Sequence, residues 1–235
     1  MGTILNIITV LLGGIIGLLL GSRFPNKMRE TVVSALGLFS TAVGLQMTFA
    51  SKNILIVLGA ILIGGIVGEL VGIDEGLKKI GEWLEEKTGN KGTEGTQGNF
   101  VRGFVMASLL FCVGPMTILG SIQDGLSGDY KLLAIKSVMD GFAALAFTSS
   151  LGVGVMFSTL TIAVYQGGLT LLAGYAKAIL TDAMIAEMTA TGGIMIMGIG
   201  VGSLLELKPI RVGNFLPALI IAPLIVGVLN LFGVV

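Results

Sequence analysis

The sequence has no histidine, a single cysteine at Cys112, and few charges for its 235 residues. Lacking histidine, it lacks the commonest zinc ligand and the commonest general base near neutral pH. One cysteine permits no disulfide within the chain. Charged residues make up 12% of the sequence, about half the share of a soluble domain. The 14 basic and 14 acidic side chains cancel, and no basic stripe recommends nucleic acid as a partner. No basic start precedes the first apolar segment, as a cleaved signal peptide would require. In the opening Met-Gly-Thr-Ile-Leu-Asn, Asn6 stands where a myristoylation signal needs Ser or Thr. The first segment is therefore expected to remain in the mature protein.

What the chain has in abundance is apolar side chains and glycine: 54% hydrophobic residues, 37 glycines, and a mean hydropathy of +0.97. A bilayer core about 30 Å thick is crossed by about 20 apolar residues in a helix, and such runs recur along the sequence. The pattern predicts an all-α polytopic membrane protein. About eight crossings are expected, near 3–21, 30–50, 53–73, 100–122, 132–152, 155–176, 187–206 and 213–234, in one transmembrane domain over 1–235.

Two repeat-like halves are expected at about 1–122 and 132–235, and the one long polar stretch, 74–99, lies within the first. Ile73, Leu77, Ile80 and Leu84 recur at helical spacing among Lys and Glu. They predict an amphipathic helix in the headgroup region, with Trp83 as an interfacial anchor. The Gly-Asn-Lys-Gly-Thr-Glu-Gly-Thr-Gln-Gly run that follows reads as a loop. Ten cationic residues (Arg23, Lys27, Arg29, Lys78, Lys79, Lys87, Lys91, Arg102, Lys208 and Arg211) would lie on one side. Lys52, Lys131, Lys136 and Lys177 would lie on the other. That asymmetry predicts a cytoplasmic 74–99 segment, in a bacterial inner membrane.

Glycine is also patterned. GGIIGLLLG at 13–21 recurs as GGIVGELVG at 64–72, giving strips at Gly13, Gly17, Gly21 and at Gly64, Gly68, Gly72. Such strips let helices approach closely, within one subunit or across a homodimer. Gly13-Gly14 echo Gly167-Gly168, and Gly37 and Gly44 echo Gly193 and Gly200. Arg102-Gly103-Phe104 with Gly114 echoes Asp140-Gly141-Phe142 with Gly152. Crossings one, two, three and four thus correspond to six, seven, eight and five, each pair running in opposite directions. That order predicts an inverted repeat, an architecture of secondary transporters.

Two central crossings are expected to be broken. Cys112-Val113-Gly114-Pro115 places proline within an apolar segment, where it removes a backbone donor and frees carbonyls. The matched segment, Ser149-Ser150-Leu151-Gly152-Val153-Gly154, is again small and polar. With Arg102 and Asp140 near opposite faces, the breaks would meet near the midplane and present helix ends to a small ion or solute. The expected binding residues are Cys112, Gly114, Pro115, Thr117, Asp140, Ser149, Ser150 and Gly152. Glu69, Arg102 and Gln46 are candidates for gating or coupling, because ionisable and polar groups are costly in lipid. Structural readings stand beside these: Asp140 paired with Lys136, Glu69 reaching water, 149–154 a simple joint, and Ser40, Thr41 and Gln46 bonding between helices. Asp182 and Glu187 are expected at an interface, and Glu206, Lys208 and Arg211 in a solvated loop. Met195 and Met197 are read as packing rather than a soft-metal site. No cofactor is expected.

The opening MGTILNIITVLLGG, the central FCVGPMTILGSIQDGLSGD and the closing Gly-rich helices resemble the YdfK/YqgA-type family of small bacterial integral membrane proteins, a domain of unknown function. The resemblance implies a membrane location over the full length. It brings no substrate or site residues. The residues themselves favour a transporter of a small polar solute or ion, with a channel or an accessory subunit as alternatives. An enzyme has the least support, without a recognisable acid–base pair or metal cluster.

Overall fold

The computed structural model describes residues 1–21, 25–87 and 99–232. Arg23, Lys91 and the loop expected at 89–98 lie outside them. Eleven α-helices run through the described residues, and no strand occurs among them. They are α1 (Gly2–Gly21), α2 (Asn26–Thr48), α3 (Ile54–Val71), α4 (Ile73–Lys87), α5 (Asn99–Cys112), α6 (Pro115–Ser127), α7 (Lys131–Leu151), α8 (Ser158–Leu171), α9 (Ala173–Ile179), α10 (Asp182–Gly198) and α11 (Ala218–Leu231). A π-helical turn, Ile199–Leu204, extends α10, and 3-10 turns at Val153–Phe157 and Val212–Phe215 precede α8 and α11.

Among the described residues, seven helical segments are long and apolar enough to cross a membrane. Counting α5 and α6 as one crossing bent by 61° makes eight, the number expected. The bent pair does reach from end to end. Its start lies beside the Ser203–Glu206 segment through Arg102, and its far end meets the beginning of α1, where Asp124 accepts from the Met1 ammonium at 3.0 Å.

Backbone-to-backbone seams at glycine hold the bundle together. A β-carbon placed on Gly13 would lie 2.0 Å from the carbonyl oxygen of Gly141. On Gly17 it would lie 2.4 Å from that of Leu145, and on Gly21 2.4 Å from that of Ser149. Both partners advance four residues per step, so α1 and α7 run parallel and in register. In the second strip, Gly64 meets Ala218 and Gly68 meets the Asn214 carbonyl, so α3 runs antiparallel to the last crossing. Gly44 and Gly193 abut each other's carbonyls, and Gly200 abuts that of Gly37, setting α2 antiparallel to α10. Such contacts give close dispersion packing where no hydrophobic drive exists between helices in lipid. Gly13, Gly17, Gly21, Gly64 and Gly68 are thus engaged within the subunit and do not call for a second copy of the chain.

α4 is the amphipathic helix expected, but its buried face is set by protein. Asp74, Gly81 and Leu84 are buried, and Gly81 sits against Val101 and Phe104 of α5. Ile80 and Trp83 remain outward, and Lys87 stands over the Trp83 ring at 5.8 Å. The inward Asp74 carboxylate faces the Gly213 amide, while Asn214 Oδ1 accepts from the Asp74 amide at 2.8 Å.

Candidate functional site

The break in the fourth crossing is at the expected place. α5 ends at Cys112, Gly114 is extended (φ 168°), and α6 restarts with Pro115 in its first turn. Pro115 occupies a position where no helical amide is required. The interruption frees carbonyls, and Thr117 Oγ1 donates to that of Phe111 at 3.2 Å. Cys112 is buried against the main core, and the neighbouring Val113 packs into the space left by Gly192 of α10.

The second interruption is placed differently. α7 is continuous to Leu151, and Gly152 (φ 84°, ψ −166°) caps it before the 3-10 turn. Gly154 abuts the Phe100 carbonyl, and Gly103 faces Leu151 and Val155. This joint therefore lies beside the beginning of α5. Gly114 stands fourteen residues further along that crossing, about 20 Å at helical rise. The expected meeting of the two breaks at the midplane is corrected accordingly. The glycines that look alike in sequence do different work: one interrupts a crossing and the other joins two. Ser149, Ser150 and Gly152 belong to this joint. Ser149 Oγ donates to the Ala146 carbonyl, and Ser150 Oγ is buried without a hydrogen-bond partner.

Asp140 is not at a membrane face. It lies nine residues into α7, about 14 Å along a helix of about 30 Å. Lys136, one turn earlier, donates to it, with both side chains largely buried. Asn6 of α1 donates from one amide nitrogen to Asp140 Oδ2 at 2.9 Å and to Gln166 Oε1 of α8 at 3.0 Å. Gln166 in turn donates to Thr3 Oγ1 at 3.2 Å. Asn6 and Gln166 have no exposed surface, and Asn6 Oδ1 has no hydrogen-bond partner. A buried charge pair is held only with such supporting bonds, because its desolvation costs several kcal/mol per ion, in order of magnitude.

At the opposite end of the bundle, charged groups ring a cavity of about 400 Å³. Arg102 pairs with Glu206 at 2.6 Å and donates to the Ser203 carbonyl. Glu69 receives Arg211 and Asn214 Nδ2, and Asp74 pairs with Lys78 at 2.7 Å. The cavity runs inward past Met106 to Leu109, one turn short of Cys112. Glu206 and Arg211 lie exposed in the solvated loop expected and each makes an ion pair there, whereas Gln46 lies on the exposed face of α2, apart from both groups. Glu187, expected at an interface, is buried against the α2–α3 loop: it accepts from Ser51 Oγ at 2.7 Å and from the amides of Lys52 and Asn53.

The sequence reading found Asp140 and its Lys136 pair but missed Asn6, Gln166 and Thr3. Asn6 and Gln166 are uncharged polar residues in otherwise apolar crossings. In sequence nothing sets them apart from polar residues such as Gln46 and Thr41, which stand in similar apolar runs. Among the described residues no group of three His, Cys, Asp or Glu gathers as a metal site.

Residues 1–227 match the family described as "Protein of unknown function (DUF554)", and the chain belongs to it. It is 28% identical to the "Uncharacterized membrane protein YdfK" of Bacillus subtilis (strain 168), over 99% of this chain and 98% of that one. It is 29% identical to the "Uncharacterized protein YqgA" of Escherichia coli (strain K12), over 94% of each. No solved structure matches the chain.

Proposed function

We propose that this member of a family of unknown function is a secondary transporter, moving a small polar solute or ion across the bacterial inner membrane by alternating access. The observation that carries the reading is the Lys136–Asp140 pair, buried mid-crossing and bonded to α1 through Asn6. Buried ionisable groups in membrane helices are costly, and they mark ion and substrate paths. Two further features support it. The cavity opens at one end of the bundle and stops near the broken crossing, as one state of an alternating cycle would. The Gly37, Gly44, Gly193 and Gly200 contacts pair antiparallel helices whose glycines correspond in sequence, in keeping with inverted halves. The cation-rich end carrying α4 and the cavity is the cytoplasmic one in this reading.

The test is flux in liposomes containing the purified chain. Saturable counterflow of a solute, lost in Asp140→Asn, is the expected result. Steady conductance without saturation would overturn alternating access in favour of a channel.

A further inference from the structure

Around Asp140, polar side chains from three helices gather, and oxygens from two of them meet the Asn6 amide of the third. Asp140 Oδ2 and Gln166 Oε1 both lie within 3.0 Å of a single nitrogen, Asn6 Nδ2. Asn6 Oδ1 is buried beside them with no donor. We propose that this cluster binds one hard monovalent cation, and that the Lys136 ammonium is its tethered stand-in, occupying Asp140 until the cation displaces it. The proposal rests on reading the Asp140 cluster as the working site of a transporter, and it names the ion that site takes.

Three arguments carry it. First, the donor set suits a hard cation: carboxylate, amide and hydroxyl oxygens, with no sulfur or imidazole in the cluster. A buried carbonyl oxygen lacking a donor is uncommon and asks for an explanation, and a cation supplies the missing partner. Second, the charge suits a single positive ion. Asp140 is the one carboxylate in the cluster. The nearby Asp124 already holds the Met1 ammonium and the Gly2 amide. One negative charge balances one monovalent ion, whereas a divalent ion would leave buried charge uncompensated. Third, Lys136 has somewhere to go. Helical side chains lean toward the helix N-terminus, yet Lys136 reaches one turn the other way to touch Asp140. Released, it swings back toward the start of α7, five residues or about 8 Å away, where a long cationic side chain reaches the interface. Cation in and ammonium out keeps the buried charge constant.

The probe is sodium, with choline as the inert replacement at equal ionic strength, applied to the purified full chain. Sodium should raise the melting temperature of the wild type saturably, by mass action. Lys136→Met removes the internal competitor, so sodium should bind about tenfold tighter or better. Asp140→Asn should abolish the shift. Equal melting in sodium and choline for both wild type and Lys136→Met overturns the proposal, as does a sodium shift that survives Asp140→Asn. Should Lys136→Met fail to fold, direct binding of radioactive sodium decides. The proposal requires saturable binding to the wild type that Asn6→Ala weakens, and absence of binding to the wild type overturns it. Solute flux that continues unchanged in choline overturns the cation site while leaving the transporter intact. Sodium binding without flux of any solute upholds the cation site and removes the transporter.

Discussion

Asn6 and Asp140 stand 134 residues apart in the chain, yet the Asn6 amide donates to the Asp140 carboxylate across 2.9 Å in the interior of the bundle. This bond ties the first crossing to the fifth beside a buried charge pair. Asn6→Leu removes the donor shared by Asp140 and Gln166 and leaves both acceptors buried. A loss of about 1–3 kcal/mol is expected, visible as a lower melting temperature in detergent. Unchanged melting would mean that water replaces the amide there.

The glycine seams predict a contrast between positions of the same residue type. Gly68→Ala puts a β-carbon 1.9 Å from the Asn214 carbonyl oxygen, and Gly13→Ala puts one 2.0 Å from that of Gly141. Each forces two backbones apart and should cost about 1–3 kcal/mol as overpacking does. Gly168→Ala meets nothing within 4 Å and should leave melting unchanged or slightly higher, since alanine is the better helix former.

The two interruptions should also part company. At Gly152, φ 84° with ψ −166° falls in a region open essentially to glycine alone. Gly152→Ala should therefore lower stability by about 1–3 kcal/mol. Gly114 is extended and has open space where a β-carbon would go, so Gly114→Ala should melt with the wild type. A large drop for Gly114→Ala would show that the broken crossing has a different backbone in the folded protein.

The carboxylates that tie loops to helices divide by exposure. Glu187 is buried and receives three donors from residues 51–53. Glu187→Ala strands them and should cost about 1–3 kcal/mol. Glu69 pairs with Arg211 while half exposed, and Glu69→Gln should change stability by less than about 1 kcal/mol. Its effect, on the transport reading, belongs to the flux rate. A melting drop as large as that of Glu187→Ala would make Glu69 a structural residue.

Cys112 offers a further readout, because it is the chain's single cysteine and is buried. Labelling by a membrane-permeant maleimide should be slow in this conformation. The cavity stops one turn away at Leu109, so conditions that drive turnover should speed the reaction. A rate that is fast at rest, or indifferent to turnover, would argue against a moving barrier at the break.

Much of the architecture was legible because its cause is local. Runs of about 20 apolar residues declare helices, and glycine every fourth residue declares a seam. Proline beside Gly114 declares an interruption. The partners of each seam were not legible. Gly13 needed a flat face, but nothing in its neighbourhood says that Gly141 supplies it. The Gly152 joint shows the same limit from another side. Its local composition matches that of Gly114, and only the continuity of α7 through Leu151 separates a cap from a break. Asn6 and Gln166 were hidden for a further reason. An uncharged amide in an apolar run gains meaning only from what it touches.

The seam between α1 and α7 has a mechanical consequence. Three successive glycine–carbonyl contacts leave no gap that side-chain repacking could fill, so sliding one helix along the other would drive backbone into backbone. The pair forms a rigid strut. For spectroscopists it is a ruler: probes placed on α1 and α7 should report one fixed separation under all conditions, against which movement of the crossing interrupted at Gly114 can be gauged.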